Sequence, residues 1–510
     1  MVHSAQPQKS AGALRVGKSV QLQAQSLDAQ GAGVCPCSDR LVHVPGLLPD
    51  EKADVLIHHE SPHTADAWGT VNRRITESPD RVAPACAGYG LCGGCSLQHL
   101  RYDAQLRWKT QQLAQSLAWI PGVQDGLRAC IAPQADVGDA GSVGAGGLPL
   151  GYRSRVKLVA AERSARATEA GSGPLYLGSY VPRSHDVLPM SGCQVNALAL
   201  SAIAQTLTTE LNRLGVRAYH PDRGPGGLRY VLLRESASGE QQLGLVVAER
   251  PEAALLSTLT QALTQAHPGL VSVVLHVNRS PGNALLSDEV SEPDGDSADI
   301  CLHGPAFLWD RVGDLPLRIS ARSFFQVHRQ AAGQIYSDVC ALLIRHLGAE
   351  SAQAGRAPVR LVDVYCGVGG LGLTLLSRIP NSSLVGLEWS ASAIADAEAS
   401  AARLGLSARA EFHRGAAEAL GRDSELQARV AATDAVLLNP PRRGCSPDVL
   451  SAVAALRPRY VIYVSCSPDS LARDLSTLLS SGYAWVESTP YDMHPGTPHV
   501  ESVTLLRAVP

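Results

Sequence analysis

An apolar run from Tyr460 to Val464 ends in Ser465-Cys466-Ser467-Pro468 near the C-terminal end of the chain. This stretch constrains the fold more than any other. The run reads as a buried strand, and the Ser-Pro pair stops the extended pattern just after the cysteine. A thiol delivered to the end of a buried strand is where an open α/β sheet puts its chemistry. Cys466 is therefore the candidate nucleophile around which the rest of the sequence is read.

Upstream, Leu361-Val362-Asp363-Val364-Tyr365-Cys366-Gly367-Val368-Gly369-Gly370 is an apolar strand entering a glycine-rich turn and a helix. Glycines at such a turn let the backbone approach a bound ligand closely. A second strand, Ser383 to Leu387, ends at Glu388, and an acid there suits a ribose diol. The turn is not a dinucleotide phosphate turn: Gly367 and Gly369 fit, and Gly372 matches only by spacing. With no pyrophosphate to cradle, S-adenosylmethionine fits better than NAD.

A further strand, Asp434 to Leu438, runs into Asn439-Pro440-Pro441-Arg442-Arg443-Gly444. The prolines hold Asn439 at the strand edge, where an amide can pair with a base edge. Asn-Pro-Pro followed by an aromatic marks amino-methyltransferases of adenine or cytosine. Here Arg442 takes the aromatic's place, and Cys466 one strand later favours pyrimidine C5 chemistry. Uracil C5 becomes enolate-like once a thiolate adds at C6. A base must then remove the C5 proton. A cation such as Arg442 would assist ionisation of the thiol.

The chain has 510 residues, which predicts three or more domains. The net charge of −3 excludes a bulk nucleic-acid coat protein but leaves room for local RNA-binding patches. No apolar run is long enough to span a membrane, and the polar stretch Met1–Ser10 has no secretory h-region, so a cytoplasmic location is expected. Twelve cysteines without a signal peptide argue against a disulfide framework. Cys86, Cys92 and Cys95 cluster among glycines, with Cys193 as the candidate fourth ligand. Zinc and an iron–sulfur cluster both fit four thiolates. Cys35 and Cys37 read as incidental, and Cys445 as an ordinary thiol.

From Gly12 to Ser78 short alternating segments predict five strands in a small OB-like barrel. Leu97 to Leu117 has helical spacing and carries Arg101, Arg107 and Lys109 on what reads as either an RNA-facing or a solvated side. Gly151 to Val159 reads as a strand with Arg153, Arg155 and Lys157 on one face, suited to a phosphate track. Residues 195–300 read as mixed α/β, with a helix near 197–214. Loops are expected at 131–149 and 287–299, and a linker at 355–358. Phe324 and Phe325 read as core packing.

Taken together, these motifs resemble the RNA uracil-C5 methyltransferase family over nearly the full length. Gly31-Ala32-Gly33-Val34, Val44-Pro45-Gly46-Leu47-Leu48-Pro49-Asp50-Glu51 and Ser78-Pro79-Asp80-Arg81-Val82 are similar to its TRAM domain. The cysteine spacing is similar to its [4Fe-4S] site. Tyr152-Arg153-Ser154-Arg155, Phe324-Phe325-Gln326, Asp363-Val364-Tyr365-Cys366-Gly367-Val368-Gly369, Asn439-Pro440-Pro441-Arg442, Ser465-Cys466-Ser467-Pro468 and His499-Val500-Glu501 complete the match.

The resemblance implies an α/β fold: a Rossmann-like class I methyltransferase domain at 321–510, a TRAM-type barrel at 12–78, a central RNA-binding domain with the cluster at 79–320, and a disordered tail at 1–11. It implies donor contacts from Gln326, Tyr365, Gly370, Glu388 and Asn439, a nucleophile at Cys466 and a proton-removing base at Glu501, with His499 positioning. It implies a [4Fe-4S] cluster on Cys86, Cys92, Cys95 and Cys193. The tRNA branch generally lacks these cysteines, so 23S rRNA is the implied substrate, with no membrane and no obligate protein partner. Many members carry Asp where Asn439 stands and Asn where Gly370 stands, which leaves those two contacts open. The rival readings are a tRNA uracil-C5 enzyme, an RNA cytosine-C5 enzyme, which would need a second cysteine where Pro441-Arg442 stands, and an iron–sulfur RNA-binding protein without activity.

Overall fold

The computed structural model describes residues 14–133, 143–163, 174–182, 184–220, 226–280, 299–347 and 358–509. The expected tail at 1–11, residues 134–142 of the expected loop at 131–149, residues 287–298 of that at 287–299 and residues 355–357 of the linker lie outside these residues. The chain divides into two compact units. One comprises residues 1–112, 143–148 and 494–498; the other comprises 113–142, 149–493 and 499–510.

The first unit holds a six-stranded sheet of β1 (Ser19–Gln23), β2 (Ser26–Leu27), β3 (Gly33–Cys37), β4 (Arg40–Val44), β5 (Lys52–Glu60) and β6 (Asp66–Arg74), in the order β1-β5-β6-β4-β3-β2. The expected five strands are present, with the short β2 added. Alternation drives their burial: Ala53, Val55 and Ile57 of β5 are fully buried. Cys35 and Cys37 also point into this core, and burial pushes the Cys35 thiol up to about 12, so both act as small apolar residues.

The two sequence segments around Glu51 and Arg81 meet through one buried ion pair. Glu51 is fully buried and accepts from Leu48 N–H (2.9 Å), Ser78 N–H (3.1 Å) and both Nε and Nη2 of Arg81 (2.5 and 2.7 Å). Arg81 also donates to Gly46 O at 2.7 Å. Burial pushes the Glu51 carboxyl up, but Arg81 and the two N–H groups outweigh it and hold it below the usual carboxylate range.

The helix expected from Leu97 runs from Tyr102 to Ser116. Arg101 and Arg107 lie on its solvated side, paired with Asp80 and Asp103. Lys109 does not share that side: it is fully buried. The sequence pattern misplaced it because a long cationic side chain is ordinarily exposed.

The second unit holds two seven-stranded sheets and a hairpin. The first sheet contains β7 (Arg155–Glu162), β8 (Leu175–Tyr180), β9 (Val187–Pro189), β10 (Leu228–Glu235), β11 (Gln241–Val247), β12 (Leu270–Val277) and β13 (Ile300–His303), ordered β13-β12-β11-β10-β7-β8-β9. The helices Leu198–Arg213 and Ala253–Ala266 bury Leu200, Ile203, Leu207, Leu256, Leu259 and Leu263 in the core of this sheet. The strand expected from Gly151 starts only at Arg155. Ahead of it, Ser154 N–H donates to Val327 O (2.9 Å) and Arg153 N–H to Val195 O (2.8 Å), so the segment serves loops rather than a neighbouring strand.

After the hairpin β14 (Phe307–Val312) and β15 (Leu315–Ser320) come β16 (Val359–Val364), β17 (Ser382–Glu388), β18 (Ala410–Arg414), β19 (Ala435–Leu438), β20 (Tyr460–Ser465), β21 (Tyr483–Tyr491) and β22 (Glu501–Ala508). They form the second sheet in the order β18-β17-β16-β19-β20-β22-β21. β18 through β20 are parallel, and β22 is inserted antiparallel between β20 and β21. Strand order reverses between β16 and β19, and ligands of open α/β sheets bind at such a switch point. Buried leucines on the helix Gly370–Arg378 cover one face and Leu471, Leu475 and Leu478 the other. No helix among the described residues is long and apolar enough to cross a membrane.

Glu51→Gln leaves the Arg81 guanidinium without its counter-charge and should cost about 3 kcal/mol in denaturant unfolding of the full chain. Because the Glu51 pKa is depressed, its contribution is present above the unfolded carboxylate pKa and is lost as pH falls through the folded value. The gap between wild type and variant should therefore narrow in acid.

Candidate active site

At the end of β16 the backbone leaves the strand under constraint. Tyr365 takes a φ of 66°, which is costly for a residue with a side chain. Both Tyr365 N–H and Cys366 N–H donate to Leu387 O (3.0 and 3.1 Å). Glu388 closes the turn: one carboxylate oxygen accepts from Gly367 N–H (3.1 Å), the other from Trp389 N–H (2.9 Å) and Ser390 N–H (3.0 Å). The acid read as a ribose acceptor thus also ties the glycine turn to β17. Asp363, buried beneath, accepts from Gly372 N–H at 3.1 Å. Burial pushes its carboxyl up to about 7, with Gly372 opposing and Glu388 adding to the rise.

The segment carrying Gln326 hangs on a second buried carboxylate. Asp396, fully buried in the helix Ala391–Arg403, accepts from Arg318 Nε (2.7 Å), Ser320 N–H (2.7 Å), Ser320 Oγ (2.7 Å) and Ser323 Oγ (2.6 Å). Arg234 adds bonds to Ser320 O and Ser323 O, each 2.9 Å. Only Phe325 is core. Phe324 is 66% exposed, with the Arg155 guanidinium 5.8 Å from its ring centre, so the expectation that both rings are core packing fails for Phe324. Gln326 is partly exposed.

Cys466 and Glu501 are brought together by register. β20 and β22 are antiparallel with Ser465 opposite Ser502. Cys466, the first residue past β20, lies near Glu501, the first residue of β22, within reach of its charge. Cys466 is partly exposed, whereas Glu501 is buried. Burial first, then the Glu501 charge, push the Cys466 thiol up to about 11, with Arg442 opposing. Burial pushes Glu501 up to about 8, again opposed by Arg442. The pair therefore resists holding two negative charges at once, and Arg442 is the cation that favours either one.

Arg442 lies in the loop after Asn439, whose N–H donates to Val364 O (3.4 Å) at the switch point. Arg442 Nη2 lies 3.3 Å from His499 Nε2, so the expected positioning residue meets the loop cation. The loop is anchored by fully buried Asp474, which accepts from Cys445 N–H (2.7 Å) and Tyr463 O–H (2.6 Å). Arg473 clasps the same carboxylate and donates to Arg443 O (2.6 Å). Gly444, with φ of 77°, crosses so close to this pair that a Cβ would lie 2.5 Å from the Asp474 carboxylate. Neither Asp474 nor Tyr463 stood out in the sequence; an acid eight residues after the cysteine, on the inner face of an amphipathic helix, was the available signal.

A family profile described as tRNA (Uracil-5-)-methyltransferase matches residues 315–509. An RNA methyltransferase of Halalkalibacterium halodurans is 30% identical over 488 residues, covering 96% of each chain. One from Geobacter sulfurreducens is 32% identical, covering 96% of this chain and 90% of its own. The chain belongs to the RNA uracil-C5 methyltransferase family. Its fold is shared with the tRNA (uracil-54, C5)-methyltransferase of Pyrococcus abyssi, solved with S-adenosyl-L-homocysteine: 22% identity, TM-score 0.67, covering 95% of this chain and 100% of that one.

At Gly370 there is little room for a side chain. A Cβ built there would lie 2.9 Å from Tyr336 Cε2 and 3.0 Å from its hydroxyl. The ring of Tyr336, on the helix Arg329–Leu347, fills the space that a longer side chain would need. Burial and the nearby Asp363 and Glu501 carboxylates hold its phenol well above the usual range. Cys445, the nearest thiol to the place a cytosine-C5 enzyme would use, is buried beside Tyr365 and Tyr463, and its pKa is pushed up to about 12 by burial. That environment disfavours a second nucleophile.

Three of the four expected cluster ligands lie in one unit and the fourth in the other. Cys86, Cys92 and Cys95 are partly exposed in a turn-rich segment of the first unit, with Gly94 N–H donating to Cys92 Sγ at 3.4 Å. Cys193 belongs to the second unit. Among the described residues no three His, Cys, Asp or Glu side chains are arranged to hold a metal. The donor set suits a cluster chemically; the arrangement does not present one.

Gly370→Asn should destabilise the chain by about 1–3 kcal/mol through its collision with the Tyr336 ring. Adding Tyr336→Ala should make the double variant less destabilised than the sum of the two single changes, as read by thermal unfolding.

Proposed function

We propose that the protein methylates uracil C5 in RNA, with 23S rRNA as substrate and S-adenosylmethionine as donor. The observation that carries the mechanism is the β20–β22 register, which sets Cys466 near Glu501 beside Arg442. The donor supplies an electrophilic methyl group. Gln326, Tyr365, Gly370, Glu388 and Asn439 would hold it at the switch point, Glu388 with acceptor capacity beyond its three backbone bonds. A main-chain edge at Gly370 replaces the side-chain contact of other members.

The target base leaves its stack to reach the thiol. Cys466 loses its proton to solvent and adds to C6, and C5 takes the methyl group. Once sulfur is bonded to carbon it carries no charge, so no thiolate stands beside Glu501 when it ionises. Glu501, supported by Arg442, then accepts the C5 proton as the C6–S bond breaks, restoring the double bond. The order of events thus keeps one negative charge at a time between the two groups.

The N-terminal strands at 12–78, closed by Glu51 and Arg81, support a TRAM-type OB-like barrel. Residues 79–320 would grip RNA through Arg155 and its neighbours, and 321–510 would carry the donor. A [4Fe-4S] cluster on Cys86, Cys92, Cys95 and Cys193 rests on the sequence spacing and donor chemistry alone, and the reaction draws no step from it. The same cysteines support rRNA over tRNA, and a cytoplasmic site of action follows from that substrate.

With C5-tritiated uridine in 23S rRNA, the protein and donor should release tritium; release from tRNA but not rRNA, or methylation of cytidine, would overturn the assignment. Cys466→Ala should abolish turnover while retaining donor affinity, and Glu501→Gln should trap a methylated covalent RNA adduct.

Protein prepared anaerobically should show broad charge-transfer absorbance lost on Cys92→Ser. Stoichiometric zinc without iron would replace the cluster with a zinc site.

A further inference from the structure

The loop preceding Glu501 is built as a turn and then clamped by residues of distant sequence. His494-Pro495-Gly496-Thr497 has Pro second and Gly third, with Gly496 at φ 78°, as a type II turn requires. His494 O accepts from Thr497 N–H (3.2 Å), Thr497 Oγ1 (2.8 Å) and Lys109 Nζ (3.2 Å). Three donors on one carbonyl leave that peptide little freedom. Gly496 is held on both sides: its N–H donates to Gln105 Oε1 (2.9 Å), and its O accepts from Leu97 N–H (2.9 Å). The same Gln105 amide donates to Leu97 O (3.1 Å) and Leu100 O (2.7 Å). Gln105 and Lys109 are both fully buried, four residues apart on one face of the helix Tyr102–Ser116.

Burying an amide and an ammonium is expensive unless their bonds are made, and here each makes a bond to the backbone of one loop, Gln105 through Gly496 N–H and Lys109 through His494 O. A loop needing only to connect two strands would not require them. Five residues after Gly496 the chain reaches Glu501, whose proton transfer depends on placement of its carboxylate.

We infer that Gln105 and Lys109 are positioning residues for Glu501, acting through the His494–Pro498 loop. This rests on the reading of Glu501 as the base that removes the C5 proton. Loosening the clamp leaves thiol addition and methyl transfer in place and slows the last step, so the covalent RNA adduct lives longer. A general loss of folding gives the opposite signature, fewer active molecules with ordinary adduct lifetimes.

The test uses the full-length protein with S-adenosylmethionine and C5-tritiated 23S rRNA, reading single-turnover tritium release, adduct on denaturing gels, donor affinity and thermal midpoint. Gln105→Leu and Lys109→Met should each slow tritium release, by up to about 100-fold. Both should raise the adduct fraction per active molecule and leave donor affinity unchanged. Trp108→Leu, a packing change on the same helix, should lower the midpoint without raising the adduct fraction. Lys109→Met keeps the inference testable if Gln105→Leu fails to fold. A folded Gln105→Leu or Lys109→Met protein with wild-type adduct lifetime would overturn the clamp while leaving Glu501 as base. Absence of adduct in Glu501→Gln would overturn the base reading and the clamp with it.

Discussion

The insertion of one antiparallel strand between β20 and β21 is the constraint on which the candidate site depends. A purely parallel sheet would bring only like ends of strands to the switch point. Because β22 runs the other way, its first residue, Glu501, comes near Cys466, the residue just past the last of β20. A one-residue slip would turn Glu501 to the other face of the sheet. The register is held by the apolar pairs behind it, including Val464 with Val503 and Ile462 with Leu505, all buried. The chemistry at the mouth is therefore secured by packing in the interior.

Around that register, three carboxylates serve as loop anchors, Asp396 and Asp474 fully buried and Glu388 partly so. Asp396 gathers Arg318, Ser320 and Ser323; Asp474 gathers Cys445, Tyr463 and Arg473; Glu388 gathers Gly367, Trp389 and Ser390. Each uses several acceptor positions to satisfy donors that an irregular loop leaves unpaired. The second unit thus places three segments of the candidate site with one device, and Gln105 does the same in the first unit for the 494–498 loop with an amide in place of a carboxylate.

Much of this was legible in sequence. The strand before Cys466, the glycine turn after Val364, the acid ending β17 and the Asn-Pro-Pro-Arg loop are local patterns, each set by residues a few positions apart. The central helix near 197–214 and the N-terminal strands were readable for the same reason. Tyr336, Asp396 and Gln105 were not, because nothing near them in sequence distinguishes a polar residue that faces inward from one that faces solvent, and Asp474 carried only its place on the inner face of an amphipathic helix. Lys109 was read as surface by that default. The expected cysteine cluster shows the converse limit: spacing names a donor set, but gathering four thiolates requires the fold to bring together residues as distant as Cys95 and Cys193.

The sequence by itself determined the chemistry available: a thiol at a strand end, an acid on the last strand, a cation in the adjoining loop and a glycine turn for a donor. Those assignments depend on local geometry, which short-range sterics and hydrophobic periodicity dictate. Only the tertiary structure decided that Cys466 lies within reach of the Glu501 charge, that Tyr336 occupies the space beside Gly370, and that Gln105 holds a loop 391 positions away. Such pairings arise from sheet order and buried hydrogen bonding, whose energies depend on desolvation at contacts that no local pattern encodes.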